Sequence, residues 1–222
     1  MASLADIACV LATAPSSAVL LQKLMELEGD VSLTFGDTHM ASDTEFLSTY
    51  YSSYFFALLL EDEINEAHML MRRLPESLVK GDPTIQSTIA LLRAVWNKNH
   101  EKIYRVIRTT QWPQSIKHLV EQYQLFFQNK TFQDISLAYG SLRPSTAALY
   151  LGLDSVGEDT MSDNTDGTGP ELIDMLTGKG WEWNAESKLF APKAATQVRK
   201  VTSSGSAAIG QLAAQLRRSH GD

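Results

Sequence analysis

Histidine is the side chain in this sequence best suited to metal binding and proton transfer, and its copies are widely separated. They are His39, His68, His100, His118 and His220. No two lie close enough to form an H-E-x-x-H or H-x-H zinc signature. His68 lies beside the apolar stripe of a predicted helix, where a packed or surface histidine is favoured over a ligand. The spacing therefore predicts no metal site and no cofactor.

Nucleophilic chemistry is equally unsupported by the sequence. There is no G-x-S-x-G elbow and no phosphate-binding Gly-Lys-Ser/Thr loop. The single cysteine, Cys9, lies in an apolar helix without a nearby His or Lys to activate it. One cysteine also excludes an intramolecular disulfide and a Cys-rich zinc site, which fits the reducing cytoplasm or nucleus. We predict that the chain has no catalytic residue and is not an enzyme.

The acidic segment 154–169 contains one partial match to a calcium-binding loop. If Gly167 took the sixth place of an EF-hand loop, Asn164 and Asp166 would fall on ligand places. The first place would then be Ser162, and the twelfth would be Ile173 where a bidentate Glu is required. The calcium interpretation is rejected, and the segment is predicted to be an exposed loop.

The charge balance limits the classes of partner. The chain carries 19 Lys and Arg against 26 Asp and Glu, a net charge of −7. An acidic surface repels nucleic-acid phosphates and anionic lipids, so neither is expected as a partner.

No stretch approaches the roughly 18 to 20 apolar residues of a membrane span. The apolar run 7–12 is short for a signal peptide and follows Asp6 without a basic residue, so it is predicted to begin a helix.

The first half of the chain has the pattern of paired helices. Residues 4–28 predict one helix or a helix pair interrupted at Pro15, and residues 29–42 predict a loop. A helix that is apolar nearly all round then begins at Ser42 or Asp43, and burial between neighbours is expected for it. A shorter helix follows from near Asp62 to Pro75, so the two should form an antiparallel hairpin.

A second helical hairpin is predicted between Pro83 and Pro113. Its first helix carries an apolar stripe that ends at Val95 and Trp96, and residues 97–100 form a polar break before the second helix. Two successive hairpins predict a short stack of the tetratricopeptide kind. Residues 1–113 are therefore expected to form a helical-repeat segment.

Residues 114–193 predict a winged-helix domain that contains the acidic loop 154–169. The expected order is a long helix to about Asn129, another through Phe132 to Ala138, a short helix opened by Pro144, a helix at 171–176 and a β-hairpin. In the hairpin, Trp181 and Trp183 alternate with Glu182 before a polar turn and Leu189-Phe190. This region carries six Lys or Arg against eleven Asp or Glu, and its helix at 171–176 has no basic residue. DNA binding is therefore a distant alternative, and protein contacts are favoured.

The chain ends in a linker, 194–205, and a predicted helix, 206–219. Ile209, Leu212 and Leu216 are spaced three and four residues apart and share one helix face. A stripe of three apolar residues cannot stabilise a solitary helix in water. The stripe therefore predicts a groove that receives it, either in this chain or in a partner.

A helical-repeat segment joined directly to a winged helix resembles the PCI domain, which builds the proteasome lid, the COP-nine signalosome and translation initiation factor three. Three stretches are similar to the family of the eighth signalosome subunit. They are Tyr50 to Pro75, Ala94 to Pro113 with its spaced tryptophans, and Gly178 to Lys193 with GKGWEWNAESKLFAPK. The resemblance covers about residues 45–193, although the acidic insertion and a terminal helix without aromatic residues depart from the family pattern.

The resemblance implies a mainly α fold with a small β-hairpin and a scaffold role in the signalosome, which removes a ubiquitin-like modifier from the cullins of cullin-RING ubiquitin ligases through a protease in another subunit. Partners would be the other signalosome subunits, with no small-molecule substrate. The hairpin edge, including Leu189 and Phe190, would extend a neighbour's sheet. The alternative within the group is a subunit of translation initiation factor three or of the proteasome lid.

Overall fold

The computed structural model describes residues 4–34, 41–153 and 170–192. These ranges hold ten helices and one two-stranded antiparallel sheet, which confirms the predicted mainly α class. The elements are α1 (Leu4–Thr13), α2 (Ser17–Thr34), α3 (Ala41–Leu60), α4 (Ile64–Arg73), α5 (Glu76–Gly81), α6 (Pro83–Trp96), α7 (His100–Thr109), α8 (Gln114–Ala138), α9 (Pro144–Leu151), α10 (Pro170–Gly178), β1 (Trp181–Asn184) and β2 (Leu189–Pro192).

Helix α3 is the centre of the first hydrophobic core. Its side chains from Phe46 to Leu59 are all buried, which confirms the expectation drawn from its apolar circumference. Helices α1, α2 and α4 to α7 and the first half of α8 contribute to this core. The buried hydroxyl of Ser48 donates to Asp82 Oδ1 at 2.8 Å, and the same oxygen accepts from the Ile85 backbone N–H at 2.8 Å. One carboxylate thus caps the start of α6 and joins it to α3.

The second core lies between the end of α8, helices α9 and α10 and the β-hairpin. Its buried residues are Ile135, Leu142, Ala147, Ala148, Leu151, Leu172, Leu176, Trp181 and Phe190. The order of long helix, short helix, helix and hairpin follows the winged-helix prediction. The two cores divide between Tyr123 and Ile135, inside α8. The proposed boundaries at 113 and 193 stay predictions.

Several predicted elements need correction. The two helices expected at 114–129 and 132–138 are one continuous helix, α8, because no Pro or Gly interrupts the chain between them. Residues 29–34 continue α2 instead of forming a loop, and the fully buried Val31 accounts for the extension. Helix α3 begins at Ala41, before the predicted caps, and the short helix α5 was missed. Trp96, expected on an apolar stripe, is 47% exposed.

Close packing between α7 and the end of α9 joins the two cores. Helix α9 ends at Gly152, whose φ of 63° is left-handed, directly against the buried Tyr104 ring. Arg108 donates to the Gly152 carbonyl, and Gln128 Nε2 donates to the Leu151 carbonyl at 2.9 Å. These bonds satisfy two carbonyls at the helix end, and only a residue without a Cβ fits beside the ring.

We predict that Gly152→Ala lowers the free energy of unfolding by about 2 to 5 kcal/mol. A Cβ there would lie 2.3 Å from the Tyr104 ring. The left-handed backbone costs an L-residue about 1 to 2 kcal/mol, and overpacking adds about 1 to 3 kcal/mol. Urea unfolding followed by circular dichroism measures the loss.

Gly180→Ala is the matched control, because Gly180 has a φ of 91° but no atom within 4 Å of an added Cβ. It should show the backbone cost alone. An equal loss in the two variants would mean that the contact between Gly152 and Tyr104 does not matter for stability.

Candidate protein-interaction surface

The β-hairpin is the described part of the predicted interaction surface, and Trp181 anchors it. The Trp181 side chain is 2% exposed, and its indole N–H donates to Ser136 Oγ at 2.9 Å. The Ser136 hydroxyl in turn donates to the Phe132 carbonyl at 2.7 Å within α8. The Phe132 and Trp181 ring centroids lie 6.2 Å apart. The base of β1 is therefore fixed directly to the C-terminal half of α8.

The side chain of Asn184 stabilises the turn of the hairpin. Asn184 Oδ1 accepts from the backbone N–H groups of Glu186 and Ser187 at 2.9 and 3.0 Å. Lys188, which has a φ of 53°, closes the turn before β2. An asparagine that bonds to the backbone two and three residues ahead stabilises a tight turn, so the two strands are held in one register.

Leu189 and Phe190, predicted to contact a partner, lie differently in the structure. Phe190 is fully buried in the second core, and the Trp183 ring packs against it at 4.7 Å. Leu189 is half-buried. The backbone of Phe190 also exchanges two hydrogen bonds with Leu142, at 2.8 and 2.9 Å. The Phe190 side chain thus serves this chain's own core, and the role of both residues in a partner interface stays a prediction.

The bridge to Leu142 determines which edge of the hairpin is open. In an antiparallel ladder the N–H and C=O groups of one residue point to the same side, and successive residues alternate. Since Phe190 points to Leu142, its neighbours in β2 point to β1, where they pair with Glu182 and Asn184. Trp181 and Trp183 therefore direct their backbone groups to the outer side of β1. Within the described part of the chain, no backbone partner meets them there.

The sequence alone did not reveal this open edge. Its alternating Trp-Glu-Trp pattern predicted the hairpin but not the Leu142 bridge, because Leu142 lies in a short turn segment without a strand pattern. Ser136 was also missed, since a serine in the middle of a helix gives no signal of a tertiary hydrogen bond. The predicted stripe of Ile209, Leu212 and Leu216 lies outside the described residues.

The described residues contain no cluster of metal-binding side chains. Among residues 4–34, 41–153 and 170–192, no group of three or more His, Cys, Asp or Glu could hold a metal ion. A cavity of about 350 Å³ opens between α1, α2 and α8, where Leu11, Leu20 and Leu119 line it beside His118. Ser16, Ser17 and Gln122 also line it, so the cavity has both aliphatic and polar walls. None of the helices described is long and apolar enough to cross a membrane.

Helix α10, which occupies the place of a DNA-reading helix, has an unsuitable surface. It carries the exposed Asp174 and no basic residue. Leu172 and Leu176 face inward to the second core. Phosphate contacts would require Lys or Arg along this helix, so its chemistry favours a role in packing.

Comparison with known proteins identifies the family. A family model described as the CSN8/PSMD8/EIF3K family matches residues 45–201. The COP9 signalosome complex subunit 8 of Emericella nidulans is 33% identical over 191 residues, covering 86% of this chain and 84% of the relative. The proteins of the same name from Arabidopsis thaliana and Danio rerio are each 22% identical, over 156 and 143 residues.

The family model includes residues of both cores. The alignments to the Arabidopsis thaliana and Danio rerio proteins cover 69% and 64% of this chain, and 72% and 68% of the relatives. The family model covers α3 from residue 45 onward, the second helical hairpin, α8 and the complete β-hairpin. The similarity inferred from residues 45–193 is thereby confirmed. The chain belongs to the CSN8/PSMD8/EIF3K family.

Proposed function

We propose that this chain is a non-catalytic, architectural subunit of the COP9 signalosome, the complex that deneddylates the cullins of cullin-RING ubiquitin ligases. The observation that carries the proposal is the similarity to relatives named COP9 signalosome complex subunit 8 over most of both chains. The absence of a metal-binding group among the described residues fits a role in assembly rather than chemistry. The compartments that go with this function are the cytoplasm and the nucleus.

The proposed mode of assembly uses two surfaces. The open outer edge of β1 pairs with a strand of a neighbouring subunit, because unpaired N–H and C=O groups on an edge are ready to extend a sheet. The second surface is the stripe of Ile209, Leu212 and Leu216, which we propose enters a helical bundle shared with other subunits. The linker 194–205 allows the helix to reach past the hairpin.

Affinity purification of the tagged chain from its native cells tests the proposal. We expect the other signalosome subunits to co-purify in stoichiometric amounts. Recovery of translation initiation factor three or of the proteasome lid instead would show that the chain acts elsewhere in its family. If the pure chain specifically retarded DNA fragments in an electrophoretic mobility-shift assay at physiological salt, the result would favour the distant alternative, a DNA-binding regulator.

Trp183→Pro tests the β1 edge. Proline removes the outward N–H of Trp183 and is tolerated at an edge, while the bonds of Glu182 and Asn184 to β2 remain. Trp183→Ala is the matched control, because it removes the same ring but keeps the N–H. We expect the proline variant to bind the other subunits at least about tenfold more weakly than the alanine variant, measured by reconstitution of the complex. Equal binding would exclude sheet extension at this position.

Replacing Ile209, Leu212 and Leu216 together with Ser tests the terminal stripe. Each apolar side chain contributes roughly 1.5 to 3 kcal/mol when buried, so the triple variant should lose assembly by about three orders of magnitude or more. Gln211→Ser, Ala214→Ser and Arg218→Ser together form the control, because these residues lie on the opposite side of the predicted helix.

Thermal unfolding of the isolated chain distinguishes the two possible grooves. If the Ser triple variant melts as the wild type does but does not assemble, the groove belongs to a partner. A much lower melting temperature of the isolated variant would instead place the stripe in this chain's own core, contrary to the proposal.

A further inference from the structure

An exposed aromatic pair lies on the surface shared by α4 and α6, away from the hairpin. The Trp96 indole stacks on the His68 imidazole with ring centroids 4.6 Å apart and planes inclined by 26°. Trp96 is 47% exposed, and Met69 beside His68 is 53% exposed. Tryptophan and methionine are enriched at protein interfaces, and a half-exposed tryptophan leaves a large apolar surface in water.

Two arginines lie on the same side of this aromatic pair. The bond between Ser48 and Asp82 places the first turns of α3 and the start of α6 together, whereas α4 returns antiparallel to α3 after a short turn. Helices α4 and α6 are therefore antiparallel. Arg72 lies one turn after His68, and Arg93 lies one turn before Trp96. The two arginines consequently lie at the same end of the pair.

The charges of these two arginines are not balanced locally. Both are exposed, and neither has an ion-pair partner among residues 4–34, 41–153 and 170–192. By contrast, the neighbouring Arg73 pairs with Glu28 at 2.9 Å. The two arginines thus form a basic site in a chain whose net charge is −7. An anionic partner would supply carboxylates to both guanidinium groups.

We propose that this surface, formed by His68, Met69, Arg72, Arg93 and Trp96 and called the α4–α6 face, binds an acidic segment of a partner protein. Trp96 and Met69 contact an apolar side chain of that segment. Arg72 and Arg93 pair with its carboxylates, whose planar geometry matches the guanidinium fork. The face is separate from the β1 edge, and the inference does not depend on the identity of the complex.

A protein segment fits this face better than a nucleic acid. Single-stranded nucleic acids need a continuous basic groove that follows several phosphates, whereas this face offers two arginines in an acidic chain. Two guanidinium groups beside one apolar surface match a short segment with a few carboxylates and a single aromatic side chain.

Fluorescence anisotropy with the full chain tests the proposal. The probes are a short labelled peptide of Glu and Asp with a central Phe, the same peptide with Ala in place of Phe, and a single-stranded oligo-uridine. We expect saturable binding of the Phe peptide, weaker binding of the Ala peptide and a decrease at high salt. Arg72→Glu combined with Arg93→Glu should weaken binding of the Phe peptide at least about tenfold. Trp96→Ala should remove the preference for Phe over Ala.

The matched control combines Lys117→Glu and Arg143→Glu, which change the net charge equally at two exposed positions on other surfaces. This control should bind the Phe peptide like the wild type, and circular dichroism should show all variants folded. The proposal is wrong if the Phe peptide does not bind, if the double arginine variant binds normally, or if the control loses as much affinity. Tighter binding of the oligo-uridine through the same arginines would assign the face to nucleic acid. Self-association that is lost in the double arginine variant would assign it to a second copy of the chain.

Discussion

The position of every element near the β-hairpin depends on one helix that belongs to two hydrophobic cores. Helix α8 has 25 residues and spans about 37 Å at 1.5 Å per residue. Its first half buries Ile116, Leu119 and Tyr123 in the core built around α3. Its second half buries Ile135 against α9, α10 and the hairpin. Because a continuous α-helix is stiff over this distance, the hairpin cannot move without the helix that the first core holds.

Contacts at two levels along α8 reinforce this connection. Lys130 pairs with Asp62 at the turn between α3 and α4, where Asp62 has a left-handed φ of 62°. Near the same level, Gln128 bonds to the end of α9, and further along Ser136 accepts the indole N–H of Trp181. The packing of Tyr104 against Gly152 adds a second link that does not involve α8. The winged helix is thus attached to the helical hairpins along two separate routes.

Patterns of short range predicted most of this fold, and contacts of long range account for what was missed. Apolar periodicity located α3, α4, α6 and α7, and the Trp-Glu-Trp alternation located the hairpin, because each signal lies within one element. The lack of Pro or Gly permits a continuous α8, but burial of both its halves stabilises it, and the second half packs on residues as distant as Phe190. The open edge of β1 depends on Leu142, about forty residues before the hairpin. Trp96 looked like a core residue because its helix is apolar, yet its indole stacks on the outer side of α4.

The size of the β1 edge explains why a second surface is needed for assembly as proposed. Only Trp181 and Trp183 direct backbone groups outward, so a neighbouring strand gains at most about four hydrogen bonds. At about 0.5 to 1.5 kcal/mol net for each bond, the edge contributes about 2 to 6 kcal/mol. Association itself costs about 4 to 15 kcal/mol in lost translational and rotational freedom. In the proposed assembly the edge would therefore set the orientation of the neighbouring subunit, while the affinity would come from apolar burial elsewhere. The stripe of Ile209, Leu212 and Leu216 is the part of this sequence best suited to that burial.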